Sequence, residues 1–320
     1  MTSATQRDEG SVRQMPPIGR GGRKPLPSPA VFSSGYQRRL IRFGALALAG
    51  SLIFLTACGG DDDDGGGGGS SGDGENAGGD ETTDSSTTEL REGAAWVLHA
   101  QGGLSEVPVY ANEGDTEPAQ VIANPNPDTV TQSPVVFLVD TTQGEVDPSS
   151  DEYIPVWLPM RPNQSKGWVR ADDIVPSQND YLVRIEVAAR RLVVLKNGEQ
   201  VLETAAGVGR AGRETPQGTY FVRESIQVAD DAGNPTPDGD YGPYAFGISG
   251  FSDDPQIIAE FGENSSVGIH GTNDPSTIGQ EVSSGCIRIP NDIVTEMAVD
   301  DPNDSEDIVI AIGTPIEIVP

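Results

Sequence analysis

From residue 94 to the C-terminus, the apolar residues come in short runs, and turn-forming residues separate nearly every pair of them. "WVLHA", "VPVYA", "PVVFLVD", "YIPVWLPM" and "GWVRADDIV" are parted by Pro, Asn, Gly and Asp. Further on, "YLVRIEV" alternates, with Val183, Ile185 and Val187 on one face, which is the period of a half-buried strand. "RLVVLKNGEQVLET" reads as two strands joined through Asn197 and Gly198, a pair that accepts the positive φ angles of a tight hairpin. "GTYFV", "SVGIHG" and the two halves of "DIVIAIGTPIEIVP" extend the pattern. Only "PNDIVTEMAVD" fits a helix, with Asn291 or Asp292 as N-cap. This punctuation predicts a mainly β protein: a small all-β module over 93–177, then a β-sandwich or open barrel with little helix over 180–320. Residues 224–242, rich in Asp, Gly and Pro, read as a long loop. Trp157 and Trp168 are expected in the core of the first module, since aromatics dominate small cores. His99 falls on a strand with no assigned role.

The N-terminal part reads differently. Residues 59–92 are nearly free of apolar side chains and cannot offset the entropy of ordering. They are expected to be a flexible tether averaging roughly 30–35 Å end to end. The first 36 residues are also poor in apolar content. Between these stretches, residues 38–58 read "RRLIRFGALALAGSLIFLTAC", a basic segment followed by an apolar one. The apolar run is short for a spanning helix and suits a signal peptide. Its end, "LTAC", resembles a bacterial lipobox, in which cleavage precedes the cysteine and the thiol is lipidated. The expected division is therefore a signal peptide with a long basic leader over 1–57 and a lipidated tether over 58–92, anchored at Cys58 to the outer face of the cytoplasmic membrane.

The formal charge is −29. Subtracting eight basic and two acidic residues of the segment 1–57 leaves 12 basic and 47 acidic residues, a formal −35. Such a field repels nucleic acid and anionic head groups, so no nucleic-acid partner is expected.

Cys58 and Cys286 are the two cysteines of the sequence. With Cys58 lipidated, Cys286 has no partner for a disulfide. An unpaired thiol outside the cytoplasm is a candidate reactive group, although free cysteine is also common as a small buried hydrophobe. A cysteine with its ordinary pKa of ~8.5 is mostly a thiol at neutral pH and needs a neighbouring base to become a nucleophile. His270, sixteen residues upstream in "GIHGT", supplies one in principle. With His99 and His270 far apart and no cysteine pair, no metal site is expected, and no cofactor.

"VGIHGTNDPSTIGQEVSSGCIRIPN" resembles the active-site signature of the L,D-transpeptidases, the cysteine-dependent enzymes of peptidoglycan cross-linking. The matching positions are His270, Gly271, Thr272, Pro275, Gly279, Ser283, Gly285, Cys286, Ile287 and Arg288. "TPQGTY", from Thr215 to Tyr220, resembles a second element of that family. The resemblance covers residues 180–320. It implies that Cys286 attacks a stem-peptide carbonyl to form a thioester, with His270 as general base, and that the amine of a second stem then gives a direct cross-link between diamino acids. It further implies oxyanion donors in the loop of Ser284 and Gly285 with the Cys286 N–H, and a Gly271 carbonyl that orients the imidazole. Arg288 and Thr272 are candidate substrate contacts or structural braces, and carbapenems are expected to acylate the cysteine. The sequence departs from the signature at Ser284, where the family usually has a second histidine. Alternatives are an L,D-carboxypeptidase or endopeptidase on the same site, or a non-catalytic wall-binding lipoprotein. "VWLPMRPNQSKGWVRADDIV" resembles the closing part of bacterial SH3-like domains, which implies partners in the wall. The whole assembly is expected in the cell-wall space, held to the membrane by its N-terminal lipid.

Overall fold

The computed structural model describes residues 89–230, 232–263, 265–300 and 308–320. The expected signal segment, Cys58 and nearly all of the tether lie outside the described residues. Among the described residues no helix is long and apolar enough to cross a membrane.

The protein is mainly β. Seven strands come first: β1 (Ala95–Ala100), β2 (Glu106–Val109), β3 (Gln120–Ala123), β4 (Val136–Val139), β5 (Tyr153–Trp157), β6 (Lys166–Arg170) and β7 (Ile174–Asn179). Five of them form an antiparallel sheet in the order β6-β5-β4-β1-β7, and β2 and β3 pair separately as a hairpin. The hairpin meets β6 through a bridge between Tyr110 and Trp168. Leu98, Val107, Val109, Phe137, Ile154 and Val169 close the core between them. The two tryptophans do not sit where expected. On β5, Ile154 and Val156 face this core, so the alternating period of a strand turns Trp157 to the opposite face. There it packs with Val97, Val136 and Leu138 against Phe221 of the second sheet. Trp168 is half-buried outside the apolar cluster.

The remaining elements are β8 (Tyr181–Glu186), β9 (Arg191–Lys196), β10 (Glu199–Ala205), β11 (Val208–Gly209), β12 (Gly218–Gln227), β13 (Tyr244–Phe251), α1 (Pro255–Phe261), β14 (Ser266–His270), β15 (Glu281–Ser283), β16 (Ile287–Arg288), α2 (Asn291–Ala298) and β17 (Pro315–Val319). An eight-stranded sheet runs in the order β10-β9-β8-β17-β12-β13-β14-β16, and β11 pairs with β15 in parallel. Asn197 (φ 52°) and Gly198 (φ 81°) make the expected hairpin turn between β9 and β10. Val183 and Ile185 are fully buried, with Leu192, Val194, Tyr220, Phe246, Ile248 and Ile269 among their neighbours in one core.

Three local expectations change. The strand β12 continues through Glu224 to Gln227 by way of a bulge after Val222, so the long loop begins at Val228. The helix α1 carries its own start signal, with Asp254 accepting from the Gln256 N–H and Pro255 in the first turn, yet its apolar pattern is too short to announce it. The helix α2 is capped at Pro290 without a side-chain bond, because the Asn291 side chain is used elsewhere, in the site described next.

Candidate active site

The strand β16 adds to the edge of the large sheet in parallel to β14, pairing Ile269 with Ile287 and His270 with Arg288. This register sets Cys286, one residue before β16, beside Gly268, and a backbone hydrogen bond from Gly268 reaches the thiol. His270 lies two residues beyond Gly268 and so projects from the same face of β14. Sixteen residues of separation thus become adjacent rows of one sheet edge. A Cβ at position 268 would touch the His270 ring at ordinary van der Waals distance, 3.9 Å from its Cδ2.

His270 is buried. Its Nδ1 lies 2.6 Å from the Gly271 carbonyl oxygen. Since a carbonyl only accepts, Nδ1 carries the proton and Nε2 is left as a lone-pair base. Burial, with a smaller contribution from the Arg288 charge, lowers the pKa of the imidazole to about 4. The ring of Tyr241, from the loop after β12, packs against it at 4.9 Å between centroids, tilted by 59°. Asn291 supports the same corner: its Oδ1 accepts from the Thr272 N–H at 2.7 Å and its Nδ2 donates to the Pro237 carbonyl at 3.3 Å. Asn291 therefore ties the segment after His270 to the loop that carries Tyr241. It was expected only as a helix cap, and no sequence motif marks the tie.

Cys286 is a free thiol, half-buried. Burial pushes it above the usual thiol range, opposed by the Gly268 hydrogen bond and the Arg288 charge. Both groups are therefore neutral at rest. The loop before it is braced by Ser283, whose Oγ donates to the Cys286 carbonyl at 2.6 Å and accepts from the Gly285 N–H at 3.1 Å. That second bond occupies one of the expected oxyanion donors. Gly285 serves the loop by conformation instead: its φ is 116°, a region open to glycine. The N–H groups of Ser284 and Cys286 have no acceptor among the described residues.

The other expected residues fall as follows. Thr272 is 3% exposed and its N–H and hydroxyl are engaged locally, with Asn291 and Asp274, so it acts as a brace. Arg288 is half-buried, and its Nε has no partner among the described residues. Its charge is felt by both Cys286 and His270. The Ser284 hydroxyl receives two guanidinium donors, Arg213 at 3.0 Å and Arg210 at 3.4 Å. Thr215, at the start of the second motif, accepts from the Gly209 N–H through Oγ1 and folds the intervening turn back onto β11. Among the described residues no group of three metal-ligating side chains comes together.

Residues 180–318 match the family model of the L,D-transpeptidase catalytic domain, YkuD. A Bacillus licheniformis protein bearing the name L,D-transpeptidase YkuD is 29% identical over 152 residues, spanning 48% of this chain and 71% of that protein. A Bacillus subtilis protein of the same name is 27% identical over 152 residues, spanning 46% of this chain and 79% of that protein. Residues 180–318 are therefore similar to that catalytic domain, over a little less than half of the chain. Among solved structures, an Enterococcus faecium L,D-transpeptidase is similar at 21% identity over 44% of this chain, with a TM-score of 0.29, and the match spans 50% of that chain.

Proposed function

We propose that this protein is a peptidoglycan L,D-transpeptidase that works through a thioester on Cys286, with His270 as general base. The observation that carries this reading is the register of β14 against β16, which sets the thiol beside Gly268 on the face from which His270 projects, its base tautomer fixed by the Gly271 carbonyl. The sulfur attacks the carbonyl of the diamino acid in a tetrapeptide stem as His270 Nε2 takes the thiol proton. The oxyanion forms against the free N–H groups of Ser284 and Cys286, a contribution worth about 10²–10³ in rate per donor in comparable sites. The imidazolium then gives its proton to the departing D-Ala amine as the carbon–nitrogen bond breaks. The amine of a second stem loses a proton to His270, attacks the thioester and releases the Cys286 thiol. Water in place of that amine gives the hydrolytic version of the same chemistry. Arg288 steadies negative charge beside the thiol, and it belongs to the site rather than to the core.

In this reading the chain is exported, lipidated on Cys58 and active in the cell-wall space, with the tether and the SH3-like module over 93–177 holding the catalytic unit near its substrate. Intact-mass measurement of the full chain purified in detergent from a bacterial membrane tests both ends at once. Addition of a carbapenem shifts the mass by one drug molecule, and Cys286→Ala abolishes the shift. A lipid mass is present, and Cys58→Ala removes it. A drug adduct that persists in Cys286→Ala overturns the nucleophile, and an unlipidated chain overturns the anchor.

A further inference from the structure

The turn between β11 and Thr215 brings two arginines to the lip of the nucleophile loop. Arg213 is held in place: its Nε pairs with Asp254 and its Nη2 contacts Gln256, both at the start of α1. Arg210 is different. Its Nη1 donates to the Val282 carbonyl at 3.1 Å, the Ser283 carbonyl at 3.2 Å and the Ser284 hydroxyl at 3.4 Å. No carboxylate pairs with it among the described residues. Three carboxylates on the segments around it are engaged elsewhere: Glu214 accepts from the Gly212 N–H, Glu281 lies against Arg190, and Asp254 is on Arg213.

In a chain with 49 acidic and 20 basic residues, a half-exposed guanidinium left without a carboxylate is a cation kept for something else. It stands on Ser284, two residues before the thiol, while Arg288 stands two residues after it with its Nε unpartnered. Two uncompensated guanidiniums therefore bracket Cys286, each with N–H groups to spare. A planar guanidinium with free donors is matched to a carboxylate.

We infer that Arg210, steadied through Ser284 by its neighbour Arg213, is a specificity residue of the donor site that binds a free carboxylate of the stem peptide. The inference rests on the reading of the protein as an acyltransferase of stem peptides. Two carboxylates flank the bond that Cys286 attacks, that of the departing D-Ala and that on the far end of the diamino acid, and Arg210 serves one of them. At position 284 this chain places a hydroxyl that two arginines share. The site thereby gains a planar guanidinium with donors to spare. Arg213, neutralised by Asp254, is a positioning residue.

The test uses the full chain in detergent with three synthetic tetrapeptide donors: one with all carboxylates free, one amidated at the terminal D-Ala, one amidated at the far carboxylate of the diamino acid. The wild-type chain is expected to prefer the free acid over one of the two amides by about tenfold in kcat/KM, a difference typical of a charge-assisted contact, and the amide that fails identifies the carboxylate. Arg210→Gln is expected to lose that preference, chiefly through a higher KM for the free acid. Arg210→Lys, which keeps the charge, recovers part of it. Equal kcat/KM of the wild-type chain on all three donors overturns the inference without any variant. An equal loss on all three donors in Arg210→Gln also overturns it, because that is the signature of a mere brace for the Val282 and Ser283 carbonyls. Turnover without preference leaves the acyltransferase standing, whereas no turnover of any donor and no carbapenem adduct removes both.

Discussion

The imidazole of His270 is buried, packed against the tilted ring of Tyr241 and bonded through Nδ1 to a carbonyl. Its pKa is about 4, and the Cys286 thiol is pushed up. These directions separate two chemistries that the residue types alone leave open. A preformed thiolate–imidazolium pair requires a raised histidine and a lowered cysteine, and both are shifted the other way. The proposed attack is therefore base-assisted from a neutral pair. The rate constant of carbapenem acylation is expected to be level between about pH 5.5 and 8 and to fall as the pH drops towards 4, where His270 protonates. A tenfold rise between pH 6 and 8 counts against this arrangement. The same shift has a consequence for stability. In the unfolded chain His270 takes up its proton near pH 6.5, but in the folded chain only near 4. Between those values the unfolded state holds more protons, so stability falls as the pH is lowered through that window, by roughly 3 kcal/mol in total. Denaturant titrations at pH 7 and pH 4 check this, with His270→Gln expected to flatten the difference. Cys286 and His270 were legible as residues, because reactive side chains at a motif's spacing stand out. Arg210 was not, since its meaning lies in the carboxylate it lacks.

At the scale of elements, the site is a join between one strand edge and three loops. Asn291, at the first turn of α2, fastens two of them by accepting from Thr272 and donating to Pro237. The fit is close: a side chain on Gly271 or Gly242 would come within 2.5 Å of Asn291 Oδ1. Asn291→Ala leaves the buried Thr272 N–H without its acceptor. An unsatisfied buried donor costs about 1–3 kcal/mol, and the loss here also frees the loop that carries Tyr241. The variant is expected to melt lower and to be acylated by a carbapenem at least tenfold more slowly, with the Cys286 thiol still titratable by a thiol reagent after unfolding. Wild-type acylation rates in Asn291→Ala would show that the tie is dispensable. The strands were legible in the sequence because their period and their turns are local. The helix α1 was not, since seven residues with one capping aspartate resemble a loop, and neither was the bulge that carries β12 past Glu224.

Across the described residues, the five-stranded sheet and the eight-stranded sheet are packed through a shared apolar patch. Phe221 of β12 is fully buried against Val97, Val136, Leu138 and Trp157. Around it, Glu224 accepts from the Val130 and Thr131 N–H groups at 2.7 and 3.4 Å, and Asn163 exchanges two hydrogen bonds with Phe251. Arg161 reaches Asp253 and the Glu263 carbonyl, on either side of α1, whose N-cap Asp254 in turn holds Arg213. The first sheet is thus physically continuous with the lip of the nucleophile loop. Phe221→Ala is expected to cost about 3–5 kcal/mol and to show it as a lower thermal midpoint. A loss below about 1 kcal/mol would mean that the two sheets are packed without depending on each other.

The sequence by itself determined the β character and the hairpin at Asn197 and Gly198, and it named Cys286 and His270 as candidates, because short-range period, turn chemistry and reactive side chains are written in neighbouring letters. Only the tertiary structure decided which face Trp157 takes, that the Gly285 N–H is already engaged, that Asn291 serves the site instead of its helix, and that Arg210 has no carboxylate partner among the described residues. Each of these depends on what a residue far along the chain places opposite. Pairing, burial and charge balance between distant segments are properties of the assembled fold.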